Sequence, residues 1–255
     1  MAIADFSLEG KVAIVTGGSR GIGRSIALGL AEHGADIVIA ARKPEPIAEA
    51  VAAVEATGRR AIGVTTNVRR LDDLKALVDR TRDEFGRLDI LVNNAGTNPV
   101  FGPIQETDER AWDMIMNTNV KALHFLSNHA RELMLEGDRG GSIIHISSVG
   151  GYRASDVIGG YSISKAAVIM LTQVQAKTWG TDDIRVNCIA PGLIKTEFAR
   201  ALWDNEEIRK SSEAEASLHR IGEPDEMAGA AVYLASPAAS FLTGQTLIID
   251  GGRLV

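Results

Sequence analysis

The 255-residue sequence has a single cysteine, Cys188, so no internal disulfide can form and a reducing compartment is the expectation. Basic charge is not in surplus. Lys and Arg number 27 against 33 Asp and Glu, and the net charge of −6 offers nucleic acid or an anionic membrane no general attraction. No apolar run approaches the ~20 residues that a membrane helix needs. The opening MAIADFSLEGKVAIVTGG lacks a basic start, an apolar stretch and a cleavage site, so no signal peptide is expected. The closing GGRLV is not a Ser-Lys-Leu type of address, and a cytoplasmic location is the expectation. Metal ligands are also missing: His33, His124, His129, His145 and His219 are scattered, and no metal site is expected. Repeats and low-complexity blocks are absent.

What the sequence does contain is an alternation of apolar, β-branched runs with helix-like stretches. Strands are expected at 11–16, 36–41, 61–64, 88–93, 142–147, 184–190 and 246–250. Helices are expected at 22–33, from about 44 through 57, at 71–85, at 160–180 and at 224–235, with one long helix from about Asp108 to Leu135. Short strands separated by helices require parallel crossovers. The right-handed rule then favours a single-domain, Rossmann-type α/β fold: a doubly wound, mostly parallel seven-stranded sheet with helices on both faces. Ligands of such sheets sit beyond the carboxyl ends of the strands, where strand order reverses.

The first expected strand runs into Thr16-Gly17-Gly18-Ser19-Arg20-Gly21-Ile22-Gly23. Glycine lets backbone turn sharply and approach a ligand closely, and the helix that begins there aims unpaired N–H groups at a phosphate. The second strand ends in Ala40-Ala41-Arg42, with no acid to take an adenosine ribose hydroxyl. Arg42, with Arg20 from the glycine turn, can clamp a 2′-phosphate through forked, charge-assisted hydrogen bonds. NADP(H) is therefore expected over NAD(H). Taken singly, either arginine is equally an ordinary surface charge.

These residues, with Asn93-Asn94-Ala95-Gly96, Tyr161-Ser162-Ile163-Ser164-Lys165 and Pro191-Gly192, resemble the short-chain dehydrogenases/reductases from Lys11 to Gly252. Within that family, NPVFGPI and APGLIKTEFARALW are most similar to NADPH-dependent carbonyl/retinal reductases of the dehydrogenase/reductase type. The resemblance implies that Gly17, Ser19, Arg20, Gly21, Ile22 and Gly23 meet the cofactor's pyrophosphate side. It implies that Asn94, Ala95 and Gly96 lie near the adenosine ribose, and that Ile194 and Thr196, after Pro191 and Gly192, hold the nicotinamide carboxamide. Asn67, followed by Val68, stands where the family usually has an adenine-contacting Asp, and an amide can still make adenine hydrogen bonds. Asn119, Ser148, Tyr161 and Lys165 are implied as the catalytic set, Asn119 through a backbone bend that holds a water in a proton relay with Lys165.

The residues support that chemistry independently. Tyr161 and Lys165 stand four apart on an expected helix and share a face. A phenol near pKa 10 is too weak an acid for ready exchange at neutrality, and an ammonium beside it is expected to lower that value. The Ser148 hydroxyl can donate to the same carbonyl oxygen. Strand alternation aims Ser147 elsewhere. Each residue also has a plain structural alternative: a helix-surface pair for Tyr161 and Lys165, a turn for Ser147-Ser148, a buried amide for Asn119. Cys188 fits a small core residue.

Val149, Tyr152, Ile158, Phe198 and Trp203 are candidates for the substrate pocket, and 195–217 reads either as a lid or as an amphipathic surface helix. An apolar wall suits a lipophilic or aromatic carbonyl or alcohol. Two rivals remain. One is 3-oxoacyl-carrier-protein reduction, disfavoured by acid at Glu136-Gly137-Asp138 and Asp182-Asp183, where an acidic carrier would dock. The other is a non-catalytic nucleotide-sensing protein, which need not keep the Ser/Tyr/Lys set. The resemblance also implies a homotetramer. Val168, Leu171, Val174 and Phe241 suit either core or interface.

Overall fold

In the computed structural model, residues 4–136 and 140–255 are described. The chain alternates β1 (Val12–Thr16), α1 (Gly21–Glu32), β2 (Asp36–Ala41), α2 (Pro44–Glu55), β3 (Ala61–Thr65), α3 (Leu71–Phe85) and β4 (Ile90–Asn93). It continues through α4 (Glu109–Met116), α5 (Ala122–Leu135), β5 (Gly141–Ile146), α6 (Gly159–Trp179) and β6 (Ile184–Pro191). It closes with α7 (Arg200–Trp203), α8 (Glu206–Glu215), α9 (Ala228–Ala235) and β7 (Thr246–Ile249). The seven strands form one sheet in the order β3-β2-β1-β4-β5-β6-β7, and every pairing is parallel. Strand order therefore reverses between β1 and β4, and the glycine turn leaves β1 at that point.

Side-chain alternation decides what covers each face. Ala13, Val15, Ile37 and Ile39 pack with Ile26, Leu30 and Val232 from α1 and α9 on one side. Val12, Ile14, Val38 and Ala40 pack with Leu74, Leu77, Leu126 and Leu133 from α3 and α5 on the other. Both faces are covered, so β1 is buried at all five positions, and continuous apolar strands are the result. Each such Leu or Ile contributes roughly 1.5–3 kcal/mol by leaving water. Val168 belongs to the core, whereas Val174 is half exposed and Phe241 fully so.

The expected long helix is interrupted. Asn117–Lys121 forms a π-helical turn between α4 and α5, with one extra residue in the backbone ladder. Asn119 lies within this turn and is fully buried. Its Oδ1 accepts the Thr97 N–H at 2.8 Å, and its Nδ2 donates to Thr97 O and to Ser164 Oγ, both at 3.0 Å. An amide fully enclosed by these partners holds α4 and α5 to the segment after β4. A propensity argument could see only that Asn is a modest helix former. The stretch 195–217 resolves into α7 and α8, with the Asn205 side chain accepting from Glu207 and Ile208 N–H to cap the second.

Candidate active site

The carboxyl ends of β1, β4, β5 and β6 open on a cleft of about 690 Å³. Its walls include all the residues that the sequence assigned to the cofactor: Gly17, Ser19, Arg20, Gly21, Ile22, Gly23, Arg42, Asn67, Val68, Asn94, Ala95, Gly96, Tyr161, Lys165, Pro191, Gly192, Ile194 and Thr196. Ser148 lines it too. Asn119 lies behind the wall and reaches the site only through Thr97 and Ser164.

The glycine turn has no room for side chains at Gly17 and Gly23. Gly17 and Gly21 have positive φ values of 64° and 53°. A Cβ on Gly17 would come within 2.7 Å of Asn94 Nδ2, and one on Gly23 would strike the Gly17 carbonyl. Asn94 Nδ2 donates to Thr16 O at 2.9 Å and to Gly17 O at 3.3 Å, which ties the turn to the end of β4. Arg20 at the start of α1 supplies no side-chain cap, so the first N–H groups of α1 are left to face the cleft. At the outer end of this region stand Arg20 and Arg42, joined by Lys43 and Arg69. The sequence reasoning missed the last two, although Lys43 directly follows Arg42.

Around the other end, Ser147 and Ser148 part ways as strand alternation required. Ser147 Oγ donates to Lys165 O at 2.7 Å and is buried, whereas Ser148 faces the cleft and accepts the Gly150 N–H at 3.1 Å. Tyr161 and Lys165 lie one turn apart on α6. Burial pushes the Tyr161 phenol up to about 12, and the Ser148 hydroxyl offsets only part of that rise. Burial also pulls the Lys165 ammonium down to about 8. The ammonium lies 5.4 Å from the phenol ring centre and gives one N–H to Ile146 O at 2.8 Å, leaving two donors free for other partners. Desolvation is the larger cause at the phenol.

Three candidates for the pocket wall, Val149, Ile158 and Phe198, line the cleft with Phe101, Met114 and Leu202. Tyr152 and Trp203 do not. Tyr152 is turned outward at the surface, and the Trp203 indole donates to Thr196 O at 2.7 Å, anchoring α7 to the backbone after β6. No group of His, Cys, Asp and Glu able to hold a metal occurs among the described residues. Cys188 is enclosed, and burial raises its thiol to about 11, which makes it a core residue.

A family model described as Enoyl-(Acyl carrier protein) reductase matches residues 17–253. Dehydrogenase/reductase SDR family member 4 of Oryctolagus cuniculus is 39% identical over 245 residues, 96% of this chain and 94% of that one. The chain belongs to the short-chain dehydrogenase/reductase family. A putative short-chain alcohol dehydrogenase from Sinorhizobium meliloti 1021 superposes with a TM-score of 0.94 at 37% identity, covering 98% of both chains. A putative 2-deoxy-D-gluconate 3-dehydrogenase from Agrobacterium tumefaciens with bound NADP gives a TM-score of 0.90 at 36% identity, again over 98% of both. This short-chain dehydrogenase/reductase therefore shares its fold and oxidoreductase family with a protein that holds NADP.

One buried group in this short-chain dehydrogenase/reductase titrates where it matters for stability. His145 on β5 has Nε2 2.8 Å from Gln175 Oε1 and Nδ1 3.2 Å from Asn93 Nδ2, as fits a neutral ring with its proton on Nε2. Burial lowers its pKa from 6.5 to about 4; the bond to Gln175 works the other way, and the nearby Lys165 charge adds to the lowering. The unfolded chain thus binds this proton first. Stability is full above pH 6.5 and is lost as pH falls toward 4, by about 1.4 kcal/mol per unit and roughly 3 kcal/mol in all. His145→Gln should flatten this loss. Urea midpoints compared at pH 7 and 4.5 check it, and an equal drop in both proteins would assign the acid sensitivity elsewhere.

Proposed function

We propose that this chain transfers a hydride between NADP(H) and a carbonyl or alcohol carbon of a small, lipophilic or aromatic substrate. The observation that carries this reading is one continuous cleft with the glycine turn and Arg42 at one end and Ser148, Tyr161 and Lys165 at the other. The glycine turn and the first N–H groups of α1 hold the pyrophosphate, and Arg20 and Arg42 hold the 2′-phosphate, with Lys43 and Arg69 adding positive charge. Asn67, Val68, Asn94, Ala95 and Gly96 take the adenosine side. Pro191, Gly192, Ile194 and Thr196 take the nicotinamide side. When bound, the dinucleotide supplies or accepts the hydride.

The chain's own residues manage the oxygen and the proton. Ser148 donates to the carbonyl oxygen and stabilises the charge that develops there. Tyr161 stays protonated across the neutral range and gives its phenolic proton to that oxygen in reduction. Lys165 has spent one of its three N–H donors on Ile146 O. The remaining two serve the nicotinamide ribose and the phenolic oxygen. Asn119 fixes the backbone next to Ser164 and Thr97, and a water carried by that bend would resupply Lys165.

The apolar lining of Phe101, Met114, Val149, Ile158, Phe198 and Leu202 supports a lipophilic or aromatic substrate. The acidic edge that disfavours an acidic carrier protein is held in ion pairs. Glu136 pairs with Arg82 and Asp182 with Arg131, so the acidic edge is partly cancelled. Asp138 and Arg139 lie outside the described residues. Retention of Ser148, Tyr161 and Lys165 in one cleft favours catalysis over nucleotide sensing. Exposed Met170, Val174, Phe241 and Ile248 are suited to contacts between copies in a homotetramer.

The test is a panel of ketones, aldehydes, sugars and acyl thioesters, free and carrier-bound, followed by nicotinamide absorbance with both cofactors. NADPH should exceed NADH at least ~10-fold in kcat/KM, as loss of one charge-assisted contact predicts. Apolar carbonyls should exceed sugars, and free thioesters should match carrier-bound ones. No turnover of any carbonyl or alcohol would reject the reading.

A further inference from the structure

The cleft has one feature that neither hydride transfer nor an apolar substrate uses. Arg153 and Arg253 both line it. They come from distant parts of the chain: Arg153 follows Ser148 by five residues, and Arg253 stands third from the end. Glu215, the last residue of α8, joins them. Its Oε2 accepts from Arg153 Nη1 and from Arg253 Nε, both at 2.9 Å. Two guanidiniums thus share one carboxylate oxygen and leave most of their N–H groups unspent. No other side-chain hydrogen bond of either occurs among the described residues.

Arg253 is held in place by a built segment. Asp250 Oδ1 accepts from Gly252 N–H at 2.8 Å and its Oδ2 from Leu254 N–H at 3.0 Å. Gly251 O accepts from Leu218 N–H at 3.0 Å, and Gly252 O from Ser217 Oγ at 3.1 Å. Gly251 and Gly252 both have positive φ, 67° and 81°, which only glycine adopts freely. Two glycines at positive φ thus turn an arginine onto the cleft. An isolated surface ion pair would be worth about 0–1 kcal/mol and would not need such a frame. The bonds from Arg253, then Arg153, also hold the Glu215 carboxyl below its usual range.

We infer that Arg153 and Arg253, braced by Glu215, form a subsite for a carboxylate on the substrate, remote from its reacting carbonyl. The inference rests on the hydride-transfer reading above and names the substrate class: an oxo acid with an apolar body. The apolar wall takes the body, Ser148 and Tyr161 take the carbonyl oxygen, and the unspent forked N–H groups take the acid. Asp156 also lines the cleft and offsets part of the positive charge. Arg153 is about half exposed and Arg253 a quarter. Solvent screening therefore keeps the gain near the lower end of charge-assisted bonding, about tenfold.

The experiment compares 4-oxo-4-phenylbutanoate, its methyl ester and acetophenone as substrates with NADPH. The acid-to-ester ratio of kcat/KM should be about ten in the wild type, should fall toward one in Arg153→Gln and in Arg253→Gln, and should be partly restored in Arg253→Lys. The ratio does not depend on how much of a variant folds. A wild-type ratio near one, or a ratio unchanged in both Gln variants, overturns the inference and leaves the hydride-transfer reading standing. If no compound is turned over, calorimetric titration of the oxo acid into the protein with NADP⁺ separates the two readings: binding lost in Arg253→Gln keeps the carboxylate subsite, and no binding overturns it.

Discussion

Tyr161→Phe should lower kcat for carbonyl reduction by about 10²–10⁴-fold while the dinucleotide still binds. The substitution removes one hydroxyl and keeps the ring that Lys165 and Phe198 lie against. What is lost is the proton donor, since the nearest alternatives cannot replace it. Ser148 is a far weaker acid than a phenol, and the Lys165 ammonium is engaged with Ile146 O. The pH profile gives an independent check. With the phenol at about 12 and the ammonium at about 8, both groups carry their protons at neutrality. Reduction should hold steady below pH 7 and decline as pH rises through about 8, where Lys165 loses its charge. Alcohol oxidation needs Tyr161 as a base and should keep climbing with pH, since its phenol titrates only at about 12. Single-turnover rates and dinucleotide fluorescence titration measure the two halves of the prediction. A Tyr161→Phe protein with wild-type kcat would remove the phenol from the mechanism.

Arg42→Ala should weaken NADPH by about 10- to 100-fold and NADH far less, because one charge-assisted hydrogen-bonding partner of a phosphate is worth about 1.5–3 kcal/mol. Arg42 follows β2, whose last residues are alanines, and Gly17 N–H donates to Ala40 O at 2.7 Å, so the glycine turn and the end of β2 are directly joined. The neighbours Arg20, Lys43 and Arg69 soften a single loss, and Arg20→Ala combined with Arg42→Ala should separate the cofactors further. Affinities for both dinucleotides, measured at one ionic strength, test this. Equal losses for NADPH and NADH would mean that Arg42 does not touch the 2′-phosphate.

Much of this site could be read before the fold was seen, and the reason is specific. The glycine turn, Arg42, Asn94, Ser148, Tyr161 and Pro191-Gly192 each follow or flank an apolar run, and parallel strands bring their carboxyl ends together regardless of loop detail. Alternation correctly separated Ser148 from Ser147, whose hydroxyl turns into the protein toward Lys165 O. Reasoning from spacing failed where the outcome depends on direction. Four residues on a helix set Tyr161 and Lys165 on one face, but Ile146 O, which takes one ammonium N–H, is a strand carbonyl that no helical spacing reveals. Tyr152 and Trp203 were aromatic residues in the right segments, yet one faces outward and the other is tied to Thr196.

The seven-stranded parallel architecture, the place where strand order reverses and the residues gathered there were legible in the residue order, because strand alternation and crossover length are properties of local chain geometry. Long-range packing set the burial of Tyr161 and Lys165, the π turn at Asn119 and the meeting of Arg153 with Arg253. These depend on how deeply a group is buried and on which distant atom it faces. Both are set by contacts between segments up to a hundred residues apart, and no local pattern encodes them.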